Sequence, residues 1–100
     1  MGPVMTPVEF HPAAVREAAE AYLWYAQRSE RAAERFLAEL DRAVLEVAST
    51  PKRFSEHLSG TRRFLFRRFP YLLVYRVLAE RVQVIAVAHG RRNPRYWKRR

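Results

Sequence analysis

The spacing of apolar positions changes period along the chain, and each change predicts an element. Val8 and Phe10 alternate with Pro7, Glu9 and His11, which predicts a short first strand. Pro12 suits the first turn of a helix, where its missing N–H is no loss. From Ala13 to about Gln27 the apolar set Val15, Ala18, Ala19, Tyr22, Leu23, Tyr25 and Ala26 recurs at helical spacing, with Arg16, Glu17, Glu20 and Gln27 on the other side. Ser29 is a natural N-cap for a second helix that carries Ala33, Phe36, Leu37, Leu40, Val44 and Val47 on one stripe. Glu30 and Glu34 favour its positive end, and Arg35–Glu39 and Arg42–Glu46 are spaced to pair on its wet face. Pro51 ends it near Ser49. The short link forces the helices antiparallel. Tyr22, Trp24, Tyr25 and Phe36 read as core aromatics at this spacing rather than as a ligand box.

After residue 50 the period shortens. Residues 51–60 have no sustained pattern and read as a loop punctuated by Gly60. Three strand-like runs follow: a weakly alternating Thr61 to Phe69, an almost wholly apolar Tyr71 to Leu78, and a β-branched Val82 to His89. Pro70 and the segment Ala79 to Arg81 supply the reversals, so the three form an antiparallel meander. The last two are apolar on both sides, so both sheet faces need cover, one of them from the helical hairpin. The predicted order is β-α-α-β-β-β, an α+β domain with a helical hairpin on a small, mainly antiparallel sheet. One hundred residues suit a single domain, here 1–100 with a loose leader to Thr6 and a tail from Lys98.

Charge adds what the periods cannot. The formal net charge is +9, and it is divided unevenly: residues 1–50 hold 5 arginines and 8 acidic groups, whereas residues 51–100 hold 14 Lys/Arg and 2 acidic groups. Arginine outnumbers lysine 17 to 2, and guanidinium forks suit bidentate contact with phosphate or carboxylate. An anionic partner is expected. The absence of cysteine removes disulfides and thiolate chemistry and fits a reducing cytoplasm. No apolar run approaches the roughly 20 residues of a membrane span, and the first ten residues lack the pattern of a signal peptide.

Several chemistries have no support. His11, His57 and His89 fall in separate elements without ligand spacing, so neither a metal nor another cofactor is expected. No phosphate-cradling glycine motif occurs, and Ser29, Ser49, Ser55 and Ser59 lie in no nucleophile elbow. What remains is the run from Val87 to Trp97. His89 or Tyr96 could move a proton and Arg76, Arg91 or Arg92 could stabilise a phosphorane, the needs of metal-independent RNA cleavage. The competing reading has Tyr96 and Trp97 docking the C-terminal segment on the core and His89 bonding to backbone.

The helical hairpin, Arg62-Arg63, the segment Phe69-Pro70-Tyr71-Leu72-Leu73-Val74-Tyr75-Arg76 and the ending His89-Gly90-Arg91-Arg92-Asn93-Pro94-Arg95-Tyr96-Trp97 together resemble the RelE/ParE superfamily of type II toxin-antitoxin toxins. The opening Val8-Glu9-Phe10-His11-Pro12 matches as well, so the resemblance spans about residues 7–97. It implies a small basic toxin, important in plasmid stabilisation or growth inhibition, and neutralised by an acidic antitoxin docked as an added strand or helix. Two targets are open. RelE-like members cut mRNA on the ribosome, for which Arg76, Arg91, Arg92, His89 and Tyr96 would be the catalytic candidates. ParE-like members inhibit DNA gyrase. The lysine-rich stretch of the nucleases is replaced here by Lys52, Arg53, Arg62 and Arg63, and arginine, with a pKa above about 12, is a poor base. The resemblance therefore leans to ParE, with Arg62, Arg63, Arg76, Arg91, Arg92, Arg95 and Trp97 as target or phosphate contacts.

Overall fold

The computed structural model describes residues 5–57, 60–92 and 94–100, the side chains of Pro94 and Arg95 excepted. Of the expected leader, residues 1–4 lie outside this set, while the Thr6 N–H donates to the Ala48 carbonyl at 3.0 Å. Strand β1 (Val8–Phe10) leads into helix α1 (Pro12–Ala26), helix α2 (Glu30–Ser49), strands β2 (Arg62–Leu65), β3 (Tyr71–Val77) and β4 (Val82–His89), and a 3-10 turn at Pro94–Trp97. The expected order is present. The strand predicted from Thr61 to Phe69 is shorter because Arg67 to Pro70 bend away, and its start pairs with the preceding loop through a bridge between Glu56 and Arg62.

Local chemistry explains the boundaries. The His11 side chain caps α1, its Nδ1 accepting from the Ala13 N–H at 3.0 Å, and Ser29 Oγ caps α2 by accepting from Ala32 N–H at 3.2 Å. Gly60 has φ of 71°, a left-handed conformation that side chains disfavour.

The sheet order is β1-β4-β3-β2. The meander is antiparallel, and β1 adds to its edge in parallel with β4, pairing Val8 with Val82 and Phe10 with Val84. A register shift sits between Val74 and Tyr75, opposite Ile85. Side chains alternate between the two sheet faces, with Ile85 and Ala86 on the same side at the shift: Leu73, Tyr75, Val82, Val84 and Val87 pack under the helices with Phe36, Leu40 and Val47, whereas Val74, Ile85, Ala86 and Ala88 pack on the other side with Trp97. Both faces of β3 and β4 are thus covered in part, the second by the C-terminal segment.

Three expectations about the helices change. Trp24 is 51% exposed instead of buried; its ring lies beside the Arg28 guanidinium, 3.6 Å from the ring centroid. Val15, Leu23 and Leu37 also face outward. For Val15, Leu23 and Trp24 the reason is that α1 packs through its small residues Ala13, Ala14 and Ala21, which allow close approach to the sheet and leave these larger apolar side chains uncovered. Finally, Arg42 pairs with Glu46 at 3.2 Å as expected, but the Glu39 carboxylate does not pair with Arg35. It accepts the backbone N–H groups of Arg67 and Arg68 at 2.7 and 3.2 Å, anchoring the bend before β3.

Candidate functional site

Strand β1 is too short to pair with all of β4. After His11 N–H donates to the Val84 carbonyl at 2.8 Å, the chain turns into α1, and the edge of β4 would be left with unpaired polar groups. Such groups cost free energy when buried. Side chains take the place of the missing strand: Glu17 Oε1 accepts from Val87 N–H at 3.1 Å, and the Arg100 guanidinium donates to the Ile85 carbonyl at 3.1 Å and to Glu17 at 2.8 Å.

Around this pair lies a cleft of about 450 Å³ lined by Glu17, Glu20, Trp24, Tyr25, Tyr71, His89, Arg92 and Tyr96. The structure therefore brings three of the candidate residues, His89, Arg92 and Tyr96, to one place. The Tyr96 hydroxyl and Glu17 Oε2 are buried, and neither makes a hydrogen bond of ordinary geometry. Burial raises the Tyr96 pKa strongly, and the adjacent Glu17 carboxylate raises it further, against the smaller pull of Arg92 and Arg100. A phenol held that firmly neutral is no base near pH 7. The Arg92 guanidinium lies over the Tyr96 ring at 3.8 Å from its centroid and 4.0 Å from Glu17. His89 Nδ1 accepts the Arg91 N–H at 3.1 Å, and its ring meets Tyr71 edge-on at 5.3 Å, so His89 bonds to backbone as one reading of the sequence held.

The other candidates are scattered. Arg76 projects from the face away from the helices and donates to the Arg100 carbonyl at 2.9 Å. Arg62 lies at the far edge, held by the Phe54 carbonyl at 2.8 Å and Glu56 at 3.5 Å. Arg63 and Arg91 are exposed. Trp97 is 2% exposed and serves the core rather than a partner, which corrects its reading as a target contact. The Arg95 side chain and Asn93 lie outside the described residues. In the tail from Lys98, Arg100 is held in the fold, whereas Lys98 and Arg99 are exposed.

Sequence reasoning missed Glu17, placing it on the wet side of α1. The signal was there: Glu17 stands three residues after Ala14 and four before Ala21, hence on the same stripe as the buried alanines. Among the described residues no group of three or more His, Asp or Glu could hold a metal ion, and no helix is long and apolar enough to cross a membrane.

Comparison with known proteins bears on this arrangement. No curated protein sequence matches the chain. Among solved structures, the chromosomal ParDE toxin-antitoxin system of P. aeruginosa aligns with TM-score 0.74 at 15% identity, covering 85% of this chain and 96% of that one. A mutant of the E. coli toxin RelE in the free state aligns with TM-score 0.63 at 19% identity, covering 88% and 86%. The toxin-antitoxin complex RelBE2 of Mycobacterium tuberculosis aligns with TM-score 0.56 at 23% identity, covering 86% and 99%. These likenesses share the fold, two helices on a four-stranded mixed sheet. A family model, the ParE toxin of the type II toxin-antitoxin system parDE, matches residues 8–94. With nearly the whole chain matched and the fold in agreement, the protein belongs to the ParE toxin family of type II toxin-antitoxin systems.

Proposed function

We infer that this toxin acts as a ParE-like inhibitor of DNA gyrase and not as a ribosome-dependent mRNA endonuclease. The observation that carries this is the state of the nuclease candidates: the Tyr96 hydroxyl is buried with a raised pKa beside Glu17, and Arg76 is turned to the opposite sheet face from His89. A ribonuclease needs a proton-transfer group and phosphate-binding cations on one accessible surface. Expressing the chain without its antitoxin tests the reading: DNA breaks with gyrase attached are expected, and codon-phased mRNA cleavage would refute it.

The same reading includes neutralisation by an acidic antitoxin. Val15 and Leu23 on α1 are 52% and 56% exposed and, with Ala19, share one helical stripe. That stripe offers an apolar seat to an amphipathic helix of the antitoxin, a mode in which anchors repeat every three to four residues. Similar folds solved as ParDE and RelBE2 assemblies support the partner.

A further inference from the structure

Arginines from both halves of the sequence meet on one surface away from the cleft. Arg31, Arg35 and Arg42 fall on one side of α2, separated by four and seven residues. The bend between β2 and β3 sets Arg67 and Arg68 against that same side, so that two adjoining shallow grooves of about 260 and 300 Å³ are walled by the five guanidinium-bearing residues. All five are exposed. Of these five, only Arg42 is ion-paired among the described residues, with Glu46; the side chains of Arg31, Arg35, Arg67 and Arg68 reach no carboxylate.

The carboxylates that could neutralise this ridge do not. Glu39, the acid within the groove, is committed to the two backbone N–H groups of Arg67 and Arg68, and Glu34 stands beside Arg31 and Arg35 without pairing with either. Exposed like charges held together on a helix and a pinned bend repel one another, and an anion crossing the grooves relieves that repulsion. The grip on Glu39 also shows that the bend is shaped to present successive N–H groups to an anion.

We propose that this α2 and β2–β3 ridge is a sequence-independent binding surface for the phosphodiester backbone of nucleic acid. Two features choose nucleic acid over an acidic protein segment. The ridge lacks an exposed large apolar residue among the groove-lining side chains, and protein interfaces are anchored by such groups, whereas nucleic-acid interfaces are polar and strongly positive. Arg31 and Arg35 are also about 6 Å apart along the helix axis at 1.5 Å per residue, a spacing that lets neighbouring guanidiniums reach successive phosphates of one strand. Without exposed aromatic platforms in the grooves the contact reads no bases.

The test is binding of a fluorescent DNA duplex of mixed sequence to the purified chain, followed by anisotropy across a salt series without gyrase or ribosomes. The triple variant Arg31→Gln, Arg35→Gln, Arg68→Gln is expected to weaken binding by about two orders of magnitude at 0.1 M salt and to reduce the salt slope by about 2.7, three contacts at about 0.9 each. A matched variant on other surfaces, Arg16→Gln with Arg99→Gln, both exposed, is expected to change affinity less than threefold. Unchanged affinity and slope in the triple variant, with an unchanged melting temperature, would overturn the proposal. So would a triple variant that still binds DNA but no longer binds an acidic protein. Because no gyrase is present, failure here leaves the gyrase reading to its own assay.

Discussion

Replacing Glu17 by alanine tests the account of the β4 edge most directly. The carboxylate accepts one backbone N–H, from Val87 at 3.1 Å, and one guanidinium bond, from Arg100 at 2.8 Å. Its side chain is 11% exposed and that of Arg100 18%, so both groups are largely withdrawn from water. Truncation leaves the Val87 N–H without its acceptor, at about 1–3 kcal/mol, and strands a largely buried cation that retains the Ile85 carbonyl and the face of the Tyr96 ring. Some relief comes from losing the buried, unpartnered Oε2. The net expectation is about 2–4 kcal/mol, which for a chain of this size lowers the melting temperature by roughly 10–25 °C. Glu17→Gln keeps an acceptor for Val87 and should cost less. A double-mutant cycle with Arg100→Ala, read from urea midpoints, should give a coupling of about 1.5–3 kcal/mol. A Glu17→Ala protein that melts within about 3 °C of the parent, or a coupling near zero, would refute the idea that these side chains replace strand pairing.

Other outcomes follow from the same geometry. Tyr96→Phe removes a buried hydroxyl that has no ordinary hydrogen bond and should leave stability within about 1 kcal/mol and toxicity in a growth assay intact; abolished toxicity with a folded protein would favour the nuclease reading. Trp97→Ala empties the main anchor of the outer sheet face and should cost about 3–5 kcal/mol by chemical denaturation. Leu23→Asp, at an exposed position, should spare the fold and weaken antitoxin binding at least tenfold in a titration. His57 has its pKa lowered, first by burial and then by Arg63; its unfolded form therefore binds protons more readily, and its contribution to stability is present above pH 6.5 and lost as the pH falls through the folded value. His57→Gln should flatten that part of a urea-midpoint profile between pH 7.5 and 5.

Where the sequence carried a strong period, it was reliable. The caps at Ser29, the stop at Pro51 and the turn at Pro70 were legible because they depend on near neighbours. The outward position of Trp24 was not, because burial depends on whether another element reaches that side of α1. The strand expected to run to Phe69 ended early for a similar reason, since Glu39, 28 residues upstream of Arg67, pulls the bend towards α2. Within the site, His89, Arg92 and Tyr96 were found from their chemistry, yet their accessibility was set by a glutamate in another element.

The sequence by itself determined the order of elements, the helical hairpin, the antiparallel meander and the family likeness, since these rest on periods and turn residues that act over a few positions. Tertiary structure decided which charges meet. It turned Glu17 inward, tied Arg100 and Arg76 to each other, and set Arg31, Arg35 and Arg42 from the acidic half beside Arg67 and Arg68 from the basic half. Coulomb energy depends on distance in space and on exposure to water, and neither is written in the spacing along the chain.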